Sequence, residues 1–269
     1  MEVHLGKTKL LSNGIGPDTR LKEVQVNGKP VEVLSPSQST MYLSRALDLR
    51  SPHEIELSSR ISKAWSKFAV FRNELTKKKY PLYQRMRLFN AVITPTVLYG
   101  SGSWVMTKAR EQKLRSTQRK MLRSILGKGR AVLQTDSSDT TSSGDSSASS
   151  PSEDKLQSWV EWVQRVTEEA ETVMKKVGVP DWVEEQYRRK WKWCGHVCRR
   201  EDGRWCCKVL AFSPTAGRRS VGHPVSRWTE DIDAYLSVDQ STWSVMANAR
   251  DEWSQLEEGY VRFCCKLRI

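Results

Sequence analysis

One stretch of the chain, residues 51–127, carries three consecutive helical patterns and constrains the fold more than any other part. The first pattern begins at Ser51, where Pro52 at the first helical position and Glu54 complete the residue types of a capping box. Apolar residues then recur close to the helical period, at Leu57, Ile61, Trp65, Phe68 and Leu75. The stretch therefore opens with a predicted amphipathic helix.

Two further helices are predicted behind it. The second begins at Pro81, and Pro95 should kink or end it, because proline donates no backbone hydrogen bond and clashes with the preceding turn. The third runs from about Thr107 to Leu126, with Gly127 placed as a C-terminal cap. One side of this third helix is apolar, whereas the other side is basic.

The flanking segments complete a mainly α prediction. Residues 1–50 form a small β element, since VQVNGKPVEVL alternates around Asn27-Gly28, a strong hairpin signal, and STMYLSRALDL indicates another strand. Residues 51–130 form the helical bundle. Residues 131–155, rich in Ser and Asp, predict a disordered linker. Residues 156–269 predict a second, smaller helical region, basic and rich in Trp.

The charge balance indicates the class of partner. A formal net charge of +13 and a pI near 9.6 favour a polyanion, RNA or DNA, over a membrane surface. No apolar run approaches the ~20 residues of a membrane helix, and the first residues, MEVHLGKTKLLSNG, contain no long apolar h-region of a secretory signal. The six cysteines are accordingly expected to be reduced, and the protein to be intracellular, in nucleus and cytoplasm.

The central stretch resembles a known family. EI-x(4)-RI-x(2)-AW-x(2)-F, R-x-LFN-x-VI-x-PT-x-LYG and Q-R-x-MLR-x-I-x-G are similar, over roughly eighty residues, to the region after the catalytic palm in non-LTR (LINE-type) retrotransposon reverse transcriptases. The resemblance implies a thumb-like bundle that holds template and primer. It also implies that HLGKTKLLSN is the end of the palm, with Lys7 near the incoming nucleotide. YLSR resembles YLGR of the family, and Ser44 in place of glycine puts the tight turn there in doubt.

The family copies RNA into DNA with two Mg²⁺ ions held by clustered aspartates. This chain contains neither a Y/F-x-D-D turn nor an Asp-Asp pair. We therefore expect no cofactor and no polymerisation by this chain alone. The Met1 start would be a truncation, and the missing N-terminal polymerase portion of the element's protein would be a partner. The alternatives are a helical protein-interaction scaffold and a non-functional decayed element copy.

The C-terminal region continues the resemblance. WKWCGHVCRR and GRRSVGHPVSRW are similar to the family's R-x-W-x-GHV-x-R and G-R-R-x-x-G-R-P-x-x-RW, although His223 replaces an arginine. The sequence Cys194-x-His196-x-Cys198 has the atom types of a zinc site. Its one-residue gaps do not suit one, because residues two apart on a helix point away from each other. We therefore predict no metal site.

Basic residues near aromatic ones supply the predicted nucleic-acid contacts. Arg115, Arg119 and Arg123 recur at every fourth residue on one side of the third helix, so that this side could follow a phosphate backbone. Trp191 and Trp193 are candidates for base stacking, with a core position as the alternative. The complete basic set is Lys108, Arg115, Arg119, Lys120, Arg123, Arg188, Arg189, Lys190, Lys192, Arg199, Arg200, Arg218 and Arg219.

Overall fold

The computed structural model describes most of the chain and is mainly helical, as predicted. The described residues are 8–11, 23–26, 28–35, 38–49, 51–132, 156–203, 205–211 and 227–266. The short strands all belong to the N-terminal part: β1 Lys9–Leu11, β2 Glu23–Val26, β3 Lys29–Leu34, β4 Thr40–Tyr42 and β5 Arg45–Leu47.

The helices follow from residue 52 onward. The first group is α1 Pro52–Val70, α2 Arg72–Thr76, α3 Leu82–Val97, a 3-10 turn at Ser101–Ser103, and α4 Lys108–Leu126. The second group is α5 Trp159–Val177, α6 Trp182–Cys198, α7 Trp205–Ala211, α8 Glu230–Leu236, α9 Gln240–Met246, α10 Arg250–Gln255 and α11 Glu257–Lys266.

The predicted hairpin at Asn27-Gly28 is confirmed by its strands. β2 pairs antiparallel with β3, Val26 lies opposite Lys29, and Gly28 adopts a positive φ of 72°. β1 adds a parallel strand on the other edge of β3. The single strand predicted in STMYLSRALDL is wrong, because β4 and β5 form a second hairpin that turns at Leu43 and Ser44.

Capping side chains determine where most of the long helices begin and end. The α4 boundaries are as predicted: the Thr107 hydroxyl accepts a hydrogen bond from the Arg110 amide, and Gly127 ends the helix with a φ of 58°. Ser158 and Glu161 form a full capping box on α5, and Asp181 accepts from the first amides of α6. The three N-terminal caps satisfy backbone amides that have no partner within the helix, and the Gly127 amide donates to the Arg123 carbonyl in the last turn of α4.

The start of α1 departs from the predicted capping box. Ser51 makes no side-chain cap; instead its amide donates to the Asp48 carboxylate at 2.6 Å. Glu54 accepts from the guanidinium of Arg110 in α4, also at 2.6 Å, so it ties two helices together rather than closing the cap. Pro95 lies within the last turn of α3, and the helix ends two residues later.

The hydrophobic core runs through both helical regions. Phe89 of α3 stacks on Trp182 of α6 with ring centroids 5.7 Å apart, and the Trp182 indole N–H donates to the Thr94 hydroxyl at 3.0 Å. Gln118 of α4 is buried and donates to the carbonyl of Pro180 at 2.8 Å. The helices before and after the predicted linker thus share one core. Residues 133–155 of that linker lie outside the described residues. None of the helices in the described ranges is both long and apolar enough to cross a membrane.

Candidate nucleic-acid interface

The arginines predicted to follow a phosphate backbone lie on the side of α4 that packs against α5 and α6. Arg119 pairs with Glu171 at 2.6 Å, and Arg123 donates to the Thr167 hydroxyl at 2.9 Å. Arg115 lies 3.9 Å from Asp181. Burial, followed by the charge of Arg119, lowers the pKa of Arg123.

The three arginines lie on one side of α4, as their spacing predicts, but that side faces neighbouring helices. A phosphate backbone would compete with Glu171 and Thr167 of α5 for Arg119 and Arg123, and with Asp181 at the start of α6 for Arg115. The lysines of the same helix differ, because Lys108 is exposed and Lys120 is exposed beside the Trp65 ring, 5.8 Å from its centroid. Of the predicted α4 set, these two lysines remain open to solvent.

Most of the predicted cations in and just after α6 also have internal partners. Arg188 pairs with Glu258 at 2.8 Å, which raises its pKa, chiefly through the side-chain hydrogen bond. The others are held as follows: Arg189 by Glu185 and the Leu98 carbonyl, Lys192 by Glu257, Arg199 by the Ala247 carbonyl, and Arg200 by Asp202. Arg188, Lys192 and Arg199 connect α6 to the C-terminal helices and Arg189 connects it to the turn after α3, whereas the partner of Arg200 lies two residues further along the chain.

The structure corrects two predictions, the phosphate contact by Lys190 and the base stacking by Trp191. The Lys190 ammonium is buried and lies 2.6 and 2.7 Å from the two carboxylate oxygens of Asp231, so it is not available to a phosphate. Trp191 is also buried and stacks on Trp253, with ring centroids 4.0 Å apart. Its indole N–H donates to the Trp253 carbonyl at 2.8 Å. The core alternative therefore holds for Trp191.

Trp193 lies on the opposite face of α6 and is 42% exposed. It borders a cavity of about 850 Å³ together with Trp228, Arg227 and His53. Burial lowers the pKa of His53, and the charges of Arg110 and Arg45 lower it further. Of the two tryptophans, Trp193 is the one whose ring a ligand could contact.

The turn between β4 and β5 exposes large side chains to solvent, and hydrogen bonds hold the backbone beneath them. We call Met41, Tyr42 and Leu43 the hairpin tip; Tyr42 is 62% and Leu43 70% exposed. Leu43 and Ser44 both adopt positive φ, at 48° and 64°. Neither is glycine, so the left-handed backbone costs about 1–2 kcal/mol at each residue and needs compensating contacts.

Two cations of helix α1 and a tyrosine that follows α3 supply those contacts. The Ser44 carbonyl accepts from the guanidinium of Arg60 at 2.5 Å and from the ammonium of Lys63 at 3.0 Å. The Tyr99 hydroxyl donates to the Leu43 carbonyl at 3.3 Å, and the Arg60 guanidinium lies 4.4 Å from the Tyr99 ring centroid. The tight turn that Ser44 put in doubt forms, and its base is held by Lys63 and by buried Arg60, which also pairs with Glu56 at 2.9 Å.

A further exposed basic segment was not singled out by sequence reasoning. Lys77, Lys78 and Lys79 are exposed in the connection between α2 and α3, beside Tyr80 and Tyr83. The signal was present in the sequence as KKKYPLYQRMR, where cations alternate with aromatic residues. These lysines lie in a connection between two helices, so helical periodicity does not mark them.

The cysteines do not assemble a metal centre within the described part of the chain, where no three metal-ligating side chains come together. The hydrogen bond with Cys198, followed by burial, raises the pKa of the Cys194 thiol; the same bond lowers the pKa of Cys198. Lys7, Arg218 and Arg219, and with them most of the Gly-Arg-Arg stretch, lie outside the described residues.

Comparison with known proteins adds one relative. The chain is 26% identical, over 265 residues, to a putative uncharacterized transposon-derived protein of Caenorhabditis elegans. The similarity covers 94% of this chain and 81% of the relative. No protein-family model and no solved structure matches the chain.

Proposed function

We propose that this chain is a transposable-element protein that binds RNA or DNA inside the cell. Within that class, it corresponds to the thumb and C-terminal region of a non-LTR retrotransposon reverse transcriptase. The relative in Caenorhabditis elegans is described as transposon-derived and is similar over nearly all of the chain, which supports the origin. The central motifs that resemble LINE-type enzymes support the finer assignment.

The hairpin tip is the observation that carries the nucleic-acid proposal. Exposed Tyr42 offers a ring for base stacking. The turn beneath it is held by buried Arg60, which pairs with Glu56, and by Lys63, which is partly exposed and is the one of these two cations that a phosphate can approach. Aromatic rings beside cations are the combination that binds nucleic acid strands, because the ring stacks on bases and the cation attracts phosphates. The tip needs no rearrangement to present this surface.

The chain is expected to bind without polymerising. Phosphoryl transfer in the family requires carboxylates that hold two metal ions, and this sequence has neither Y/F-x-D-D nor Asp-Asp. Purified protein incubated with a primed RNA template, nucleotides and Mg²⁺ should therefore give no extension product. Reproducible Mg²⁺-dependent extension by the pure chain would refute this part of the proposal.

A binding assay tests the hairpin tip directly. Fluorescence anisotropy with a labelled primer–template should show affinity that falls as salt is raised, since phosphate contacts release counterions. Tyr42→Ala should weaken binding roughly five- to 150-fold, the range for loss of one stacked base. Trp159→Ala is the matched control, because Trp159 is 64% exposed on α5.

Two outcomes would contradict the proposal. Wild-type protein that binds neither single strand, duplex nor primer–template would exclude a nucleic-acid role and favour the scaffold alternative. Equal affinities of the Tyr42→Ala and Trp159→Ala variants would exclude the hairpin tip as the contact. Circular dichroism should show that both variants keep the wild-type helix content.

A further inference from the structure

A second exposed surface, which we call the basic end, lies at the other end of the α1–α3 pair. Residues 67–87 contain seven basic residues and one acidic residue, Glu74. The exposed cations of the basic end are Lys67, Arg72, Lys77, Lys78, Lys79 and Arg87, and none forms an ion pair within the part of the chain that the structure describes. In contrast to the α6 cations, their charge is not neutralised by neighbours.

Two tyrosines accompany these cations at the surface. Tyr80 is 40% and Tyr83 53% exposed, and neither is part of the hydrophobic core. The Arg87 guanidinium lies 5.5 Å from the Tyr83 ring centroid. Tyrosines that serve only packing would be buried, so these rings are available to a ligand.

A buried arginine fixes the backbone from which these side chains project. Arg85 donates to the Tyr80 carbonyl at 3.0 Å and to the Ile125 carbonyl of α4 at 2.6 Å. The connection between α2 and α3 is thereby tied to the end of α4. A surface that is already ordered loses less conformational entropy when it binds a partner.

We propose that the basic end binds a single-stranded segment of RNA or DNA. Tyr80 and Tyr83 would stack on successive bases, while Lys77, Lys78 and Lys79 contact the phosphates. Stacking requires unpaired bases, so the tyrosines favour a single strand over a duplex. The excess positive charge matches the phosphate backbone.

The distance to the hairpin tip gives the length of strand involved. Tyr83 in the first turn of α3 and Tyr99 just after its end, whose hydroxyl contacts Leu43, are 16 residues apart; at about 1.5 Å per residue, this places the tyrosines of the basic end about 24 Å from that contact with the hairpin tip. At about 3.4 Å per stacked nucleotide, this distance corresponds to about seven nucleotides. This step rests on the proposed function, because it takes the hairpin tip as a second contact with the same nucleic acid.

Charge-matched variants test the basic end. Lys78→Gln/Lys79→Gln removes two charges there, and Lys175→Gln/Lys176→Gln removes two exposed lysines at the end of α5 as a control. With a labelled 12-nucleotide single strand, the first variant should make the slope of log affinity against log salt less steep by about 1.4. The control should leave that slope unchanged.

Tyrosine variants test stacking on the same oligonucleotide. Tyr80→Ala/Tyr83→Ala should weaken single-strand binding by roughly five- to 150-fold for each base that stacks. Tyr80→Phe/Tyr83→Phe keeps both rings and should restore the affinity. Binding to a blunt duplex should change less than twofold in either variant, and thermal melts should confirm that each variant folds.

The possible failures are distinguishable. If primer–template binding depends on Tyr42 but the single-strand slope is the same in both lysine variants, this inference is overturned and the proposed function stands. If wild type binds no nucleic acid, both are overturned. Lysine-dependent binding to phosphatidylserine vesicles without oligonucleotide binding would assign the basic end to a membrane surface and overturn the inference.

Discussion

Replacing Trp191 by alanine should destabilise the protein strongly without a direct effect on nucleic-acid binding. Trp191 is fully buried, and its ring stacks on Trp253 at 4.0 Å. Truncation of a buried tryptophan typically costs about 3–5 kcal/mol. The loss of the indole hydrogen bond to the Trp253 carbonyl is part of that cost, at about 1 kcal/mol.

The expected total of about 4 kcal/mol corresponds to a decrease in Tm of roughly 8–16 °C for a chain of this size. Urea unfolding followed by circular dichroism measures the free energy of unfolding. Trp193→Ala is the control, since its half-exposed ring should contribute less than about 1 kcal/mol. A Trp191→Ala variant with wild-type stability but reduced affinity for single strands would show that Trp191 stacks on bases and is not a core residue.

Three further changes have defined outcomes. Gly195→Ala should lower the free energy of unfolding by about 1–3 kcal/mol, because the added Cβ would lie 2.6 Å from Nε1 of Trp253; an unchanged urea midpoint would contradict this contact. Lys190→Ala should cost about 3–5 kcal/mol by leaving Asp231 buried without its partner, and calorimetry should detect it. The free energy of unfolding should fall as pH decreases below about 6.5, because the pKa of His53 is lowered in the folded chain and the unfolded chain therefore binds a proton first. His53→Asn should make stability depend less on pH in this range.

Local signals predicted the helices well. Thr107 and Gly127 mark the ends of α4, because each residue satisfies backbone groups through its own side chain or backbone angle. Such interactions involve residues within one or two turns, so the sequence contains them in full. The Asn27-Gly28 hairpin was predictable for the same reason.

The candidate interface was harder to predict. Periodicity showed that Arg119 and Arg123 share a side of α4, but not that α5 covers that side. Trp191 and Trp193 lie two residues apart and therefore face opposite ways on α6, yet both faces contain cations and aromatics. Only the position of the C-terminal helices decides which tryptophan is buried.

The hydrogen bond from Arg60 to the Ser44 carbonyl makes substitutions at positions 44 and 60 epistatic. With Ser44 in a left-handed conformation, the bond from Arg60 offsets part of a backbone cost of about 1–2 kcal/mol. With glycine at position 44, that cost would largely vanish. Loss of Arg60 should therefore disturb the turn in the present chain more than in a Ser44→Gly background. The residue at position 44 therefore changes how much the turn loses when Arg60 is replaced, beyond the loss of the Arg60 ion pair with buried Glu56.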